Sequence, residues 1–232
     1  MIAEYKKGFL DVSLLQVTAC RGIVDDVAKE APNSPQVQQI KDLQKANKLV
    51  SKMLAEHDKS KLAMFKTSID SIQTLGYRQP LERYFKELSA FGNGDPAVDF
   101  KTKDINGKNV ALSDFKGKVV FVDLWATWCG PCMAEMPHYE ELKKKYADNP
   151  NVVFVSLSID ANYELEKWKK SVAARKADGN QWQISSDKLD AYHVIQIPRV
   201  LLITKDFKVA DMDGPNPSSK NVVSTIDKLL EK

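Results

Sequence analysis

Cys129 and Cys132 stand with only Gly130 and Pro131 between them, inside the stretch VVFVDLWATWCGPCMAEMPHYEELKKKY that runs from Val119 to Tyr146. Cys20 is the only other cysteine. A Cys-x-x-Cys pair has two common uses. One is half of a zinc site, which needs two further ligands, usually a second pair of cysteines or histidines. Neither pair is present, because His57, His138 and His193 are scattered and Cys20 is alone. The other use is reversible disulfide formation, in which a thiolate attacks a disulfide and a second thiol resolves the product.

The flanking pattern favours the second use. An apolar run over 118–125 reads as a strand, and residues 129–147 read as a helix. Cys129 then lies at a helix N-terminus, where unpaired N–H groups and the positive end of the dipole stabilise a thiolate. It is expected to be the exposed nucleophile. Cys132, nearly one turn on, is expected to be the buried resolver. Pro131 suits the first turn, where its missing donor costs nothing. Two inert buried thiols would be the bland alternative, and the spacing, the strand-to-helix junction and the flanking tryptophans all weigh against it.

The elements that must hold this pair follow from the rest of the chain. FGNGDPAVDF at 91–100 has the composition of a linker. After it, Asn106-Gly107 between two short alternating runs signals a hairpin. Strands are then expected at 118–125, 152–159, 181–185, 199–204 and 207–212, with helices at 129–147, 162–177, 187–193 and 218–231. Strands alternating with helices predict an α/β domain over 93–232 whose sheet is at least partly parallel.

Residues 1–92 read as an all-helical region. Val37, Ile40, Leu43, Val50, Met53, Leu54, Leu62, Phe65, Ile69, Ile72 and Leu75 recur at spacings near three and four. APNSP at 31–35 should part a first helix from a second, EHDKS at 56–60 offers a turn, and LGYRQP at 75–80 should end the second segment. No catalytic constellation appears there: His57 reads as structural or exposed, and Cys20 as a small buried hydrophobe. The apolar stripe suits an interaction module or self-association, or the remainder of a larger domain.

Composition excludes several classes. The 232 residues are 43% hydrophobic and 28% charged, which fits one or two globular domains. A net charge of +3 is too near balance to suggest nucleic acid. Its excess lies in 1–92, with 14 basic and 11 acidic residues against 20 of each afterwards. No run of eighteen apolar residues exists to span a membrane. Glu4 and Asp11 interrupt the first residues, which read as an amphipathic helix and not as a signal peptide. The expectation is therefore a cytoplasmic protein or one whose leader is absent from this chain.

VDLWATWCGPC resembles thioredoxin almost residue for residue, and GDPAVDFKTKDINGKNVALSDFKGKVV resembles the TlpA/ResA-like branch of extracytoplasmic thiol-disulfide oxidoreductases. The resemblance runs from about Gly94 to the C-terminus and does not cover 1–92. It implies a thioredoxin-like fold and exchange of protein thiols and disulfides, with no organic cofactor and no bound metal. It also implies an extracytoplasmic, bacterial location and re-reduction by another protein, such as a membrane thiol carrier.

The resemblance assigns further residues. Asp123 matches the buried acid behind the thioredoxin active site, where burial should raise its pKa and suit it to relay a proton for Cys132. Glu135 matches the active-site glutamate of the TlpA/ResA-like proteins, so two acids compete for one role. Pro137 matches the proline that kinks the active-site helix. Pro198 matches the proline that follows a cis bond and faces the pair. With Ile197, Trp128, Gly130 and Pro131 it forms the client-facing surface. Arg199 stands where thioredoxins usually carry threonine, and tunes client choice or reaches solvent. His138 reads as solvent-facing. His193 leaves copper delivery as a minor alternative, since soft thiolates take Cu(I); a cytochrome-assembly role is the related reading.

Overall fold

The computed structural model describes residues 35–56 and 59–231. The chain divides between Phe91 and Gly92 into two compact units. Cys20, His57 and the helix expected before residue 31 lie outside the described residues.

In the first unit, α1 (Pro35–Ala55), α2 (Lys59–Leu62), α3 (Lys66–Asp70) and α4 (Leu75–Ala90) surround one apolar cluster. Met53, Leu62, Phe65, Ile69 and Ile72 from the periodic stripe are all buried, joined by Leu81 and Leu88 from α4. Leu75 is not part of this core, being 53% exposed at the start of α4. LGYRQP begins this helix instead of closing one, and Pro80 lies within it. Proline there removes one intrahelical hydrogen bond, a loss that the burial of Leu81 and Leu88 outweighs.

Asp42 on α1 ties the start of α4 in place. Its carboxylate accepts from the backbone N–H groups of Gln73 (3.0 Å) and Thr74 (2.7 Å), from the Thr74 hydroxyl (2.8 Å) and from Gln38 (2.9 Å). Thr74 is the N-cap of α4 and makes no side-chain cap of its own, so a distant carboxylate supplies the negative charge that a helix start favours.

The second unit is built on a seven-stranded mixed sheet. Its strands are β1 (Lys101–Asp104), β2 (Asn109–Ala111), β3 (Val119–Trp125), β4 (Val152–Ser158), β5 (Asn180–Gln183), β6 (Arg199–Ile203) and β7 (Val209–Gly214). They lie in the order β2-β1-β5-β4-β3-β6-β7. The β3–β4 and β4–β5 pairs are parallel, and the others antiparallel. The β1–β2 hairpin turns at Gly107, whose φ of 82° is a left-handed conformation that glycine adopts without steric cost.

Helix α5 (Gly130–Lys145) joins β3 to β4, and α6 (Leu165–Ala174) joins β4 to β5. Successive right-handed crossovers in one direction put both helices on one face of the sheet. There Trp125 packs with Cys132 and Met136 from α5 and with Trp168 and Val172 from α6. Helix α7 (Val222–Leu230) adds Val222 and Ile226 to a second cluster with Phe121, Tyr139 and Phe154.

The elements expected after residue 93 all occur, with shifted ends. The 187–193 helix is a 3₁₀ segment, Ser186–Tyr192. The last strand begins at Val209, because Phe207 takes φ 59° in the turn before it. The last helix begins at Val222, after a turn that contains Pro215 and Pro217. No helix among the described residues is long and apolar enough to cross a membrane.

Removing the Asp42 carboxylate would orphan two backbone donors at the start of α4. Asp42→Ala is expected to cost about 1–3 kcal/mol, read as a lower denaturant midpoint of the helical circular-dichroism signal in the full chain. Burial pushes the Asp42 carboxyl up, but the hydrogen bonds from Thr74, Gln38 and Gln73 outweigh it and the net direction is down. The stabilisation is therefore present above the ordinary value of 3.8 and is lost as pH falls through the lower native value. The alanine variant should show less acid sensitivity than the parent.

Candidate active site

The site forms where β3 ends and α5 begins. All seven residues of β3 are buried, with β4 on one side and β6 on the other. At its end the chain turns through Ala126–Cys129, closed by the Cys129 N–H donating to the Ala126 carbonyl at 3.0 Å. Asp160, fully buried just past β4, clamps this turn. It accepts from the Thr127 N–H at 3.0 Å and the Thr127 hydroxyl at 2.7 Å, and from Ser158 at 2.6 Å. Asp160 is not among the residues that the sequence pattern marks as functional. The signal was there, as a carboxylate directly after the apolar run VVFVSLSI.

Cys129 is the N-cap of α5, with Pro131 in the first turn. Cys129 and Cys132 are joined by a disulfide. The Cys132 N–H donates to the Cys129 sulfur at 3.2 Å. A helix-start donor is thus aimed at the Cys129 sulfur, an arrangement of the kind that favours a thiolate. Cys129 was expected to be exposed; in the disulfide it is 5% exposed against 1% for Cys132. Both sulfurs are covered because Trp125, Met136, Trp168 and the partly buried Ile197 pack around them. Trp128 beside them is 58% exposed, and Gly130 and Pro131 are also on the surface. The Ile197–Pro198 bond is cis.

Asp123 sits on the α5 face of β3, between Phe121 and Trp125 in the alternation of the strand. It is 1% exposed, and its Oδ2 has no hydrogen-bond partner among the described residues. Burial pushes its pKa up to about 7; the negative charge of Glu135 adds to the rise, and the positive charge of Arg175 opposes it. Tyr139, above it on α5, is pushed up well beyond its usual value by burial and by the Asp123 charge, and stays neutral.

Glu135 is held elsewhere. Its two oxygens accept from the Ser218 N–H at 2.9 Å and the Ser218 hydroxyl at 2.7 Å, in the loop before α7. The structure therefore brings Cys129, Cys132, Ile197 and Trp125 into one cluster with Asp123 beneath it, and turns Glu135 aside. Pro137 lies inside α5. His138 is half exposed, 4.0 Å from Glu141.

Arg199 reaches neither solvent nor a client. It is 2% exposed; its Nε donates to the Met212 carbonyl at 2.8 Å and its Nη1 to the His193 carbonyl at 3.3 Å. Asp213 lies 3.6 Å from Nε. These bonds tie β6 to β7 and to the segment that leads into Pro198, so the arginine is structural. His193 takes a left-handed conformation (φ 47°) at the end of the 3₁₀ segment.

Comparison with known proteins agrees with this geometry. The chain is 34% identical over 131 residues to the thiol-disulfide oxidoreductase ResA of Bacillus cereus, covering 54% of this chain and 72% of the relative. It superposes on a crystal structure of a candidate thiol-disulfide oxidoreductase from Bacteroides vulgatus with a TM-score of 0.55 at 37% identity, covering 59% of this chain and 96% of that one. It also superposes on the thioredoxin domain of a thiol-disulfide oxidoreductase from Bacteroides vulgatus, with a TM-score of 0.52 at 26% identity, over 60% of this chain and 97% of that one. The AhpC/TSA family matches residues 93–212, just over half of the chain. With a buried acid under a helix-capping Cys-x-x-Cys pair and these relatives, the chain belongs to the AhpC/TSA family as a thioredoxin-like thiol-disulfide oxidoreductase.

Proposed function

We propose that the chain reduces disulfides of extracytoplasmic client proteins through Cys129 and Cys132. The observation that carries this reading is the Cys129 sulfur capping α5, with a backbone donor on it and a carboxyl buried in β3 below. In the dithiol form the Cys129 thiolate attacks one client sulfur. The client S–S bond breaks, and its other sulfur leaves as a thiolate that takes a proton. Cys132 then gives its proton to Asp123 and attacks the Cys129 sulfur. The bond from Cys129 to the client breaks, and the second client sulfur leaves. Two electrons pass to the client, and the Cys129–Cys132 disulfide remains.

Asp123 suits the proton transfer because a group with a pKa of about 7 both takes and releases a proton near neutrality. Glu135, with both oxygens engaged by Ser218, supplies charge rather than proton transfer in this reading. Exposed Trp128, Gly130 and Pro131, with the backbone at Ile197–Pro198, would receive an extended client segment. A second dithiol protein, of the membrane thiol-carrier class, would restore the reduced form. Client, donor and extracytoplasmic location belong to the same proposal and draw on the resemblance to the TlpA/ResA-like branch. The helical unit would serve docking or self-association.

Equilibration with glutathione is expected to give a potential nearer to about −270 mV than to the about −120 mV of a strong oxidant. A value near the latter would reverse the direction of the reaction. Brief alkylation of the reduced protein at neutral pH should label Cys129 first, and preferential labelling of Cys132 would reverse the roles. A Cu(I) complex far tighter than that of an ordinary dithiol, with weak reductase activity, would instead favour copper delivery.

Asp123→Asn should slow resolution of the mixed disulfide by about 100-fold or more and remove an inflection near pH 7 from its pH profile. If only Glu135→Gln does so, the glutamate is the acceptor. Asp123→Asn also has a stability signature. Asp123 binds a proton more tightly folded than unfolded, so native stability falls as pH rises from about 4 to about 7. The cost of the ionised form above pH 7 is on the order of 4 kcal/mol. Asp123→Asn should accordingly be more stable than the parent at pH 8, with the gap closing at pH 4, as measured by denaturant unfolding of the oxidised chain.

A further inference from the structure

Three polar side chains form a buried row beneath the redox pair. Asp123, Ser156 and Gln181 are successive partners in register across β3, β4 and β5, so they share the sheet face under α5 and α6. All three are buried. Asp123 Oδ2, Ser156 Oγ and Gln181 Oε1 have no hydrogen-bond partner among the described residues. Buried polar atoms are normally paired, and a catalytic or redox role is one reason for a group that is not.

Arg175 closes this row. It is the C-cap of α6, and its Nε donates to the Ser171 carbonyl at 3.3 Å. Its guanidinium carbon lies 4.4 Å from the centroid of the Trp125 ring. Its Nη2 is buried with no hydrogen-bond partner among the described residues. Trp125 is two residues from Asp123 on the same face of β3. The cation is thus held by stacking, close enough for its charge to act on Asp123 and Tyr139.

The groups around Asp123 divide clearly. From α5 come Cys132, the Glu135 carboxylate and neutral Tyr139; β4 and β5 contribute neutral Ser156 and Gln181, and β6 contributes apolar Val200. Glu140 also acts on Arg175, but Lys143 holds Glu140 at 2.6 Å and bonds Asp178 as well. Arg175 is therefore the one cation among the described groups that acts appreciably on Asp123. Its guanidinium cannot lose its proton at any working pH.

We propose that Arg175 is a positioning residue for thiol-disulfide exchange: its permanent charge, clamped over Trp125, steadies the carboxylate of Asp123 while Cys132 gives up its proton. Stacking is what makes this compatible with proton transfer. A guanidinium paired directly with Asp123 would occupy the oxygens that must take the proton. Held over the indole, it supplies the charge and leaves Oδ2 open. The inference rests on Asp123 being the proton acceptor for Cys132.

The test uses the full chain and the pH profile of mixed-disulfide resolution, with near-ultraviolet circular dichroism of the tryptophans as the check on folding. Arg175→Met and Arg175→Gln remove the charge with different packing, and Arg175→Lys keeps it. Both neutral variants are expected to move the midpoint of the profile upward by about one pH unit, with Arg175→Lys staying near the parent. In an Asp123→Asn background the Arg175 substitutions should leave the profile unmoved. A folded neutral variant with the parental midpoint overturns the proposal, as does a lysine variant that shifts as far as the methionine one. Should Asp123→Asn alone leave the profile intact, it is the acceptor reading that fails; should it act while the Arg175 variants do not, only the role of Arg175 falls.

Discussion

A carboxyl group held inside a fully buried inner strand of the sheet is the constraint around which the second unit is arranged. Asp123 has β4 and β6 at its sides and α5 above, and it is almost wholly shut from water. Ionising such a group in an apolar setting is costly, so its proton affinity rises toward neutrality. That displacement is a liability for stability and an asset for proton transfer. Two surrounding charges act on it in opposite directions. Glu135 adds to it from α5, and Arg175 opposes it from the end of α6.

The redox pair depends on a second, local constraint. A helix start leaves N–H groups without intrahelical partners. By placing Cys129 at the cap, the chain aims one of those donors at a sulfur. The geometry holds because the turn before it cannot drift. Asp160 binds Thr127 through both its amide and its hydroxyl, and Ile159 donates its N–H to the Trp125 carbonyl at 2.8 Å. The end of β4 thereby fixes the end of β3. Behind the pair, Arg199 locks the approach to Pro198 from inside the protein. A residue next to the cis Ile197–Pro198 bond thus holds that segment in place by being buried.

Two carboxylates, Asp42 and Asp160, do similar work in separate units. Each is buried and accepts backbone N–H donation from a segment distant in sequence, two groups for Asp42 and one for Asp160. Each fixes a start: Asp42 that of α4, Asp160 that of the turn into α5. A charged acceptor binds such donors more strongly than a neutral one, which justifies its burial.

The sequence by itself determined the chemistry of the pair and the elements that carry it. Cys-Gly-Pro-Cys between an apolar run and an amphipathic one leaves few alternatives, because strand and helix periods are local and the spacing of the thiols is covalent. The Asn106-Gly107 hairpin and the alternation of strands and helices were legible for the same reason. Tertiary structure decided what depends on distant partners. Whether Arg199 meets solvent turns on β7 and on His193, far along the chain. That Ser218 engages both oxygens of Glu135, while Oδ2 of Asp123 has no hydrogen-bond partner among the described residues, is set by contacts far along the chain. Pro80 entered a helix because Leu81 and Leu88 beyond it reach a core. Arg175 carried no local signal at all. Its place over Trp125 follows from the crossover that sets α6 on the same face as α5, and charge acts through space regardless of sequence separation.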